Sequence, residues 1–168
     1  MEMPEIRPIQ PGEVLEAKRV IYTVAHSIFH DRPTLEESIA FYETSWPIPD
    51  VEDYQRSYVE NGGIFLVTAE DGAIIGTGAL RRLEEGVGEI KRLWLLPEHH
   101  GRGLGYRMMA ALMAAARERG YTRLRLTTSP RWQRRAFEFY KRLGFYEIPL
   151  YENDEDDMVG MECVLQPG

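Results

Sequence analysis

The chain has 168 residues, 43% of them hydrophobic and 28% charged, with a formal net charge of −7. That is the composition of an ordinary globular domain and excludes disordered and fibrous classes. One cysteine, Cys163, excludes an internal disulfide framework. No stretch approaches the ~18 uninterrupted apolar residues of a membrane span, and "MEMPEIRPIQ" has neither the basic start nor the apolar run of a signal peptide. A single cytoplasmic domain over residues 1–168, with no membrane partner, is therefore expected. The histidine pairs His26/His30 and His99/His100 have no cysteine or carboxylate in ligand spacing, so no metal is expected. Charge is unevenly spread: His99 to Arg142 holds eleven Arg and Lys against the two acids Glu118 and Glu138. A basic segment in an acidic chain points to a localised polyanionic ligand. The acidic remainder, and the lack of aromatics interleaved in a basic motif, argue against nucleic acid.

"EIRPIQPGEV" reads as a short strand followed by a helix, whose apolar positions Val14, Ala17, Val20, Ile21 and Val24 recur at helical spacing. Two shorter helices follow. "PTLEESIAFYETSW" carries a capping box of Thr34 and Glu37, and "PDVEDYQRSYVENGG" starts at Pro49 or Asp50 and stops at glycine. The period then changes to that of strands. "GIFLVTAEDGAIIGTGALRRLEEGVGEIKRLWLL" gives three of them, joined by a hairpin at Asp71-Gly72 and by "EEGVG". A Met- and Ala-rich helix opens near Leu104, then come the strand "TRLRLTTS", the helix "RWQRRAFEFYKRLG" and two strands around "YEIPLY" and "DMVGMECVL". The order predicts a mixed α/β fold: a mostly antiparallel central sheet of about seven strands with helices on both faces. Met108, Met109, Met113 and Cys163 read as core.

Between the third strand of the meander and the Met-rich helix lies "PEHHGRGLG", with Gly101, Gly103 and Gly105 at alternate positions. A strand end, a glycine turn and a helix start present free backbone N–H groups at a positive helix end, which suits an anion, and Arg102 adds charge. A P-loop would require Gly-Lys-Ser/Thr here, and the dinucleotide fingerprint would require glycine at Tyr106 or Met108; neither is met.

"HGRGLG", His100 to Gly105, resembles the Gln/Arg-x-x-Gly-x-Gly/Ala signature of the GNAT superfamily of N-acetyltransferases, with His100 in place of Gln or Arg. "QRRAFEFYKRLGF" resembles its second signature through Ala136, Tyr140, Gly144 and Phe145, with Gln133 in place of Asn. The resemblance runs from about Ile64 to Leu165. It implies an acetyl-CoA-dependent N-acetyltransferase acting by direct attack in a ternary complex, with the coenzyme in a gap where the fourth and fifth strands splay. The coenzyme would then meet Leu93, Trp94 and Leu95 along the fourth strand, one of whose N–H groups serves the oxyanion. His100, Gly101, Arg102, Gly103, Leu104 and Gly105 would hold the pyrophosphate, with Gln133 and Tyr140 on the following helix. Tyr140 would protonate the departing thiolate. Glu89, eleven residues before His100, would be the general base; the other reading of Glu89 is an exposed strand carboxylate pairing with Lys91. The acceptor is expected to be an amine, on a small molecule or a peptide. It would be met by Phe41, Tyr42, Trp46, Tyr54 and Tyr58, unless those rings are core, and by the five acids of Glu152 to Asp157. A homodimer is compatible with the family. The competing reading is a noncatalytic acyl-CoA sensor or interaction module of the same fold.

Overall fold

A computed structural model describes residues 3–152 and 157–167. Seven strands form one sheet in the order β1-β2-β3-β4-β5-β7-β6. They are β1 (Glu5–Pro8), β2 (Ile64–Glu70), β3 (Ala73–Glu84), β4 (Val87–Leu95), β5 (Arg123–Thr128), β6 (Tyr146–Ile148) and β7 (Val159–Val164). Neighbours pair antiparallel except β4 and β5. The β2–β3 hairpin turns on Asp71 and Gly72, both at positive φ (51° and 82°), the backbone that matches strand twist in a two-residue turn.

Helices α1 (Val14–Phe29), α2 (Leu35–Ser45) and α3 (Pro49–Glu52) cover one face, and α4 (Leu104–Glu118) and α5 (Arg134–Arg142) the other. Alternation along the strands supplies both cores. Phe65, Val67 and Ala79 pack with Ile21, Tyr22 and Tyr58. Leu80, Ile90, Leu124, Leu126 and Met161 pack with Met108, Met109, Leu112 and Phe137. Each such large side chain contributes about 1.5–3 kcal/mol by leaving water. The Thr34 hydroxyl accepts the Glu37 N–H at 3.2 Å, starting α2 as its capping box requires. Among the described residues, no helix is long and apolar enough to cross a membrane.

One element departs from the periodicity. The single helix expected over "PDVEDYQRSYVENGG" breaks at Asp53 (φ −108°, ψ 48°), and residues 55–59 widen into a π turn closed by Glu60 N–H on the Gln55 carbonyl at 2.7 Å. The wider turn buries both Val51 and Tyr58 completely. It also delivers the chain to Gly63, where a Cβ would lie 1.6 Å from the Leu80 carbonyl oxygen. A straight helix would not make that approach to β3.

Candidate active site

The sheet opens between β4 and β5. They pair only from Val87↔Arg123 to Glu89↔Arg125, and β4 then runs on to Leu95 paired with β3 alone, its other edge open. A bulge directs this run. Lys91 faces Ala79 but Trp94 faces Thr77, so β4 carries one extra residue, and Arg92 adopts φ +53°. A side chain in that region costs about 1–2 kcal/mol, and the surroundings hold it there. The Thr77 hydroxyl donates to the Arg92 carbonyl at 2.7 Å, and the guanidinium donates to both oxygens of Asp50 at 2.7 and 2.9 Å. The Asp50 carboxylate also accepts the Tyr58 hydroxyl. Burial pushes the Asp50 pKa up, but the Arg92 fork and Tyr58 outweigh it and hold the carboxyl below its usual range. Beyond the bulge the alternation is inverted, so Leu93 packs on the α4 side and Trp94 on the α1 side.

A cavity of about 400 Å³ fills the opening, with Leu93, Trp94 and Leu95 as one wall and Ala136, Phe139 and Tyr140 as the other. Gly101, Gly103, Leu104 and Gly105 form its lip. Gly101 (φ +81°) and Gly103 (φ +75°) adopt left-handed backbone with nothing within 4 Å of a Cβ built on either, so the turn faces open space with bare amides. Gly103 caps α4 without a side chain, leaving the first-turn N–H groups free for an anion. His100 lines the cavity, its Nε2 3.2 Å from the Leu95 carbonyl, as does Gln133 at the start of α5. Arg102 does not line it. Its guanidinium is held by Glu70 and lies 2.7 Å from His99 Nδ1. That hydrogen bond from Arg102 draws the Glu70 pKa down.

Tyr140 is 7% exposed, and its hydroxyl makes no hydrogen bond to another described residue. Burial alone pushes its pKa up, so it stays neutral and able to donate. Glu89 lies outside the cavity lining and is 0% exposed, which overturns the exposed-carboxylate reading. It pairs with Arg81 rather than Lys91. Arg81 Nε donates to one oxygen at 2.8 Å and the Tyr151 hydroxyl to the other at 2.8 Å. Lys91 reaches Glu152 at 3.5 Å. Burial, and then hydrogen bonding to Glu89 and its charge, raise the Glu152 pKa.

Arg81, Tyr151, Asp50 and Arg92 are the residues that sequence reasoning did not single out. The register of the "EEGVG" hairpin points to Arg82 rather than Arg81 opposite Glu89, and Tyr151 lies in a loop with no pattern to mark it. Of the proposed acceptor aromatics, Tyr42 and Tyr58 are core, Phe41 and Tyr54 are partly buried against it, and Trp46 is 38% exposed beside Arg92. Of the acidic loop, Asp154, Glu155 and Asp156 lie outside the described residues, while Asp157 faces Arg131 at 3.5 Å. Cys163 is buried. His26 Nδ1 lies 2.7 Å from the Ser38 hydroxyl, and no group of three metal-ligating side chains occurs among the described residues.

A mixed sheet parted beyond its one parallel strand pair, with a bulged strand on one side of the gap and a glycine turn at its mouth, is the arrangement that the N-acetyltransferase resemblance implies. Residues 32–145 match the Acetyltransferase (GNAT) family, and the chain belongs to it. It is 28% identical over 103 residues to the uncharacterized N-acetyltransferase YjgM of Escherichia coli K12, a match covering 60% of this chain and 61% of that one. The chain thus spans about three fifths of that relative's length. A GNAT-family acetyltransferase of Staphylococcus aureus Mu50 superposes with a TM-score of 0.80 at 18% identity, covering 98% of this chain and 100% of that one. The PaiA N-acetyltransferase of Thermoplasma acidophilum, solved in complex with coenzyme A, gives 0.77 at 18% identity, covering 97% and 99%. At these identities the two structures establish a shared fold.

Proposed function

We propose that the protein transfers an acetyl group from acetyl-CoA to a primary amine by direct attack in a ternary complex. The observation that carries this reading is the cavity at the parted strands, which unites a bare-amide glycine turn, an unpaired strand edge and a buried, uncommitted tyrosine hydroxyl. These residues fit the coenzyme. Gly101 to Gly105 would hold the pyrophosphate on backbone N–H groups, with His100 and Gln133 beside it and Arg102 behind the turn. The edge of Leu93, Trp94 and Leu95 would pair with the amide-bearing arm as an added strand does, leaving an N–H for the oxyanion.

The coenzyme, when bound, supplies the activated thioester; the chain's residues supply the proton traffic. Tyr140 carries its proton at Oη, facing the cavity, ready for the departing sulfur. An alkylamine, with a pKa near ~10.4, arrives mostly protonated at neutral pH and must lose a proton before attack. Glu89 is the base in this reading, reached through Tyr151. The tyrosine hydroxyl donates to Glu89 Oε2 and, like Glu89, lies outside the cavity lining. The relay in this reading therefore needs the amine to approach from the Tyr151 side, where the hydroxyl would take its proton while passing its own to the carboxylate. The acceptor is an amine on a small molecule or peptide.

The test is a thiol-release assay with acetyl-CoA against polyamines, aminoglycosides, amino acids, arylamines and short peptides. Turnover of at least one class, saturating in both substrates without a ping-pong pattern, is the expected result. Protein that binds acetyl-CoA yet acetylates none of these amines would instead support the sensor reading.

A further inference from the structure

The cavity is lined from both faces of the sheet, and the two sides differ. The glycine turn and Tyr140 border it on the α4 and α5 side; Val24 and Ile28 of α1 border it on the other, with Trp132 from the loop that precedes α5. Val24 and Ile28 stand at i and i+4, on one face of their helix. Ala17, Val20, Ile21 and Ala25 of the same helix pack in a core, whereas Val24, Ile28 and Trp132 join neither core. Phe29, the last residue of α1, sets its ring 5.6 Å from that of Trp132 and so ties the end of α1 to the loop before α5. Both rings are partly exposed. The result is an apolar wall that faces the cavity instead of the protein interior.

Charge narrows what such a wall can meet. Arg134, Arg135 and Arg142 line the cavity, and among the described residues no Asp or Glu does. A second ammonium on the acceptor would enter without a carboxylate to receive it, and burying an unpaired charge is costly. The described members of the acidic loop are already engaged: Glu152 lies 3.5 Å from Lys91 and 3.8 Å from Arg81, and Asp157 lies 3.5 Å from Arg131. The wall also stands on the side from which the amine must come. Ile90 packs on the α4 side, so Glu89, one residue earlier, leaves β4 toward α1, and the Tyr151 hydroxyl bonded to it lies on that side too.

We propose that Val24, Ile28 and Trp132 select the acceptor: they take the hydrocarbon body of a primary amine that carries a single positive charge, and they reject diamines and polyamines. This rests on the reading of the chain as an amine acetyltransferase. The experiment compares n-alkylamines from propylamine to hexylamine with pentane-1,5-diamine, which puts an ammonium where hexylamine has its terminal methyl. The full chain and its Ile28→Asp and Trp132→Ala variants are used, with thermal melts confirming that each folds. Rates are measured with acetyl-CoA, and amine binding by calorimetry with coenzyme A, which has no acetyl group to transfer. In the wild type, affinity and kcat/KM should rise about two- to fourfold per added methylene, and hexylamine should exceed the diamine by at least about tenfold. Trp132→Ala should flatten the series, and Ile28→Asp should cancel or reverse the preference for hexylamine over the diamine. A flat wild-type series, a wild type that prefers the diamine, or an apolar preference that survives in both variants overturns the proposal and leaves acetyl transfer standing. A flat amine series alongside tighter binding of hexanoyl-CoA than of acetyl-CoA would give the wall to the acyl chain instead. A wild type that acetylates neither the alkylamines nor the diamine overturns the proposal; acetyl transfer survives that result only if another class of amine is turned over.

Discussion

Replacing Asp50 by Ala probes what holds the β4 bulge. Asp50 and Arg92 are 19% and 16% exposed, and the carboxylate serves two donors, the Arg92 fork and the fully buried Tyr58 hydroxyl. Breaking a buried ion pair costs about 3–5 kcal/mol, and partial exposure places this one near the lower end. Stranding the Tyr58 hydroxyl adds about 1 kcal/mol or more, so about 4 kcal/mol is expected in all, or roughly 8–16 °C in Tm for a chain of this size. Asp50→Asn keeps an acceptor for Tyr58 and should lose about half as much. Arg92→Gly should be less damaging than Arg92→Ala by about 1 kcal/mol, because φ +53° is unstrained for glycine. Urea unfolding of Asp50→Ala, Arg92→Ala and the double variant gives the coupling, expected at about 2 kcal/mol. Additivity within about 0.5 kcal/mol would show that the pair does not hold the bulge, and Ala and Gly tolerated equally at Arg92 would show that the backbone there is not strained.

Tyr140→Phe should lower kcat by about 100-fold or more with coenzyme affinity within twofold; titration and initial rates separate the two, and an unchanged kcat removes the tyrosine as proton donor. Glu89→Gln should slow the reaction most at low pH, where the amine is protonated, and converge on wild type as pH approaches the amine pKa. Tyr151→Phe should share that profile, and a wild-type pH profile in Tyr151→Phe would break the relay. Gly103→Ala places a Cβ at φ +75° without a protein clash, so it should cost about 1 kcal/mol of stability while weakening coenzyme binding about tenfold; unchanged affinity would move the cradle elsewhere. Asp50 and Glu162 both have folded pKa values below their unfolded ones, Asp50 through Arg92 and Tyr58 acting against burial, Glu162 through Tyr146, Arg125 and Arg123 acting against burial. Their stabilisation is therefore complete above the ordinary carboxylate range, near pH 4–4.5, and is lost as pH falls through the folded values. Urea midpoints measured down to pH 3 should show the fall, and Asp50→Asn should make it shallower.

The order of strands and helices, the glycine turn and the Tyr140 helix were legible because each rests on local chemistry: alternation, a capping box, an Asp-Gly turn, bare backbone before an apolar helix. What was not legible depends on insertions of one residue. Extrapolating the two-residue turn at Glu85-Gly86 from the pair Glu84↔Val87 sets Arg82 opposite Glu89. The bulge between Arg82 and Glu84 moves Arg81 there instead, and a slip of one reverses which side chain faces which side of the sheet. The second bulge, at Arg92, turns Leu93 to the α4 side, where strict alternation from Glu89 would turn it the other way. Glu89 thus lies between two irregularities, and its burial could not be read from the residues beside it. The break of "PDVEDYQRSYVENGG" was hidden for a different reason: it is imposed by β3 at Gly63, distant in sequence from Pro49.

These registers also explain why the strands part where they do. Arg81, Glu89, Arg125, Glu162 and Tyr146 stand directly opposite one another in turn across β3, β4, β5, β7 and β6, alternating in charge and ending on a hydroxyl. Glu89 and Glu162 are buried in this row, the first satisfied by one guanidinium and a tyrosine hydroxyl, Arg81 and Tyr151, the second by two guanidinium groups and a tyrosine hydroxyl, Arg125, Arg123 and Tyr146. The row is the last rung of the parallel pair, so it fastens β4 to β5 at the point from which the bulge then carries β4 away. The carboxylate assigned the proton is therefore also a pin at the apex of the gap, and the two duties separate by substitution. Glu89→Gln keeps an acceptor for one donor and should leave the cavity formed while removing the base. Arg81→Met keeps the Glu89 carboxyl but removes its buried cation, costing about 3–5 kcal/mol. If Glu89 is the base, Glu89→Gln should lose activity while nearly keeping its melting temperature, and Arg81→Met should lose stability; full activity in a folded Glu89→Gln would leave Glu89 with the pin alone.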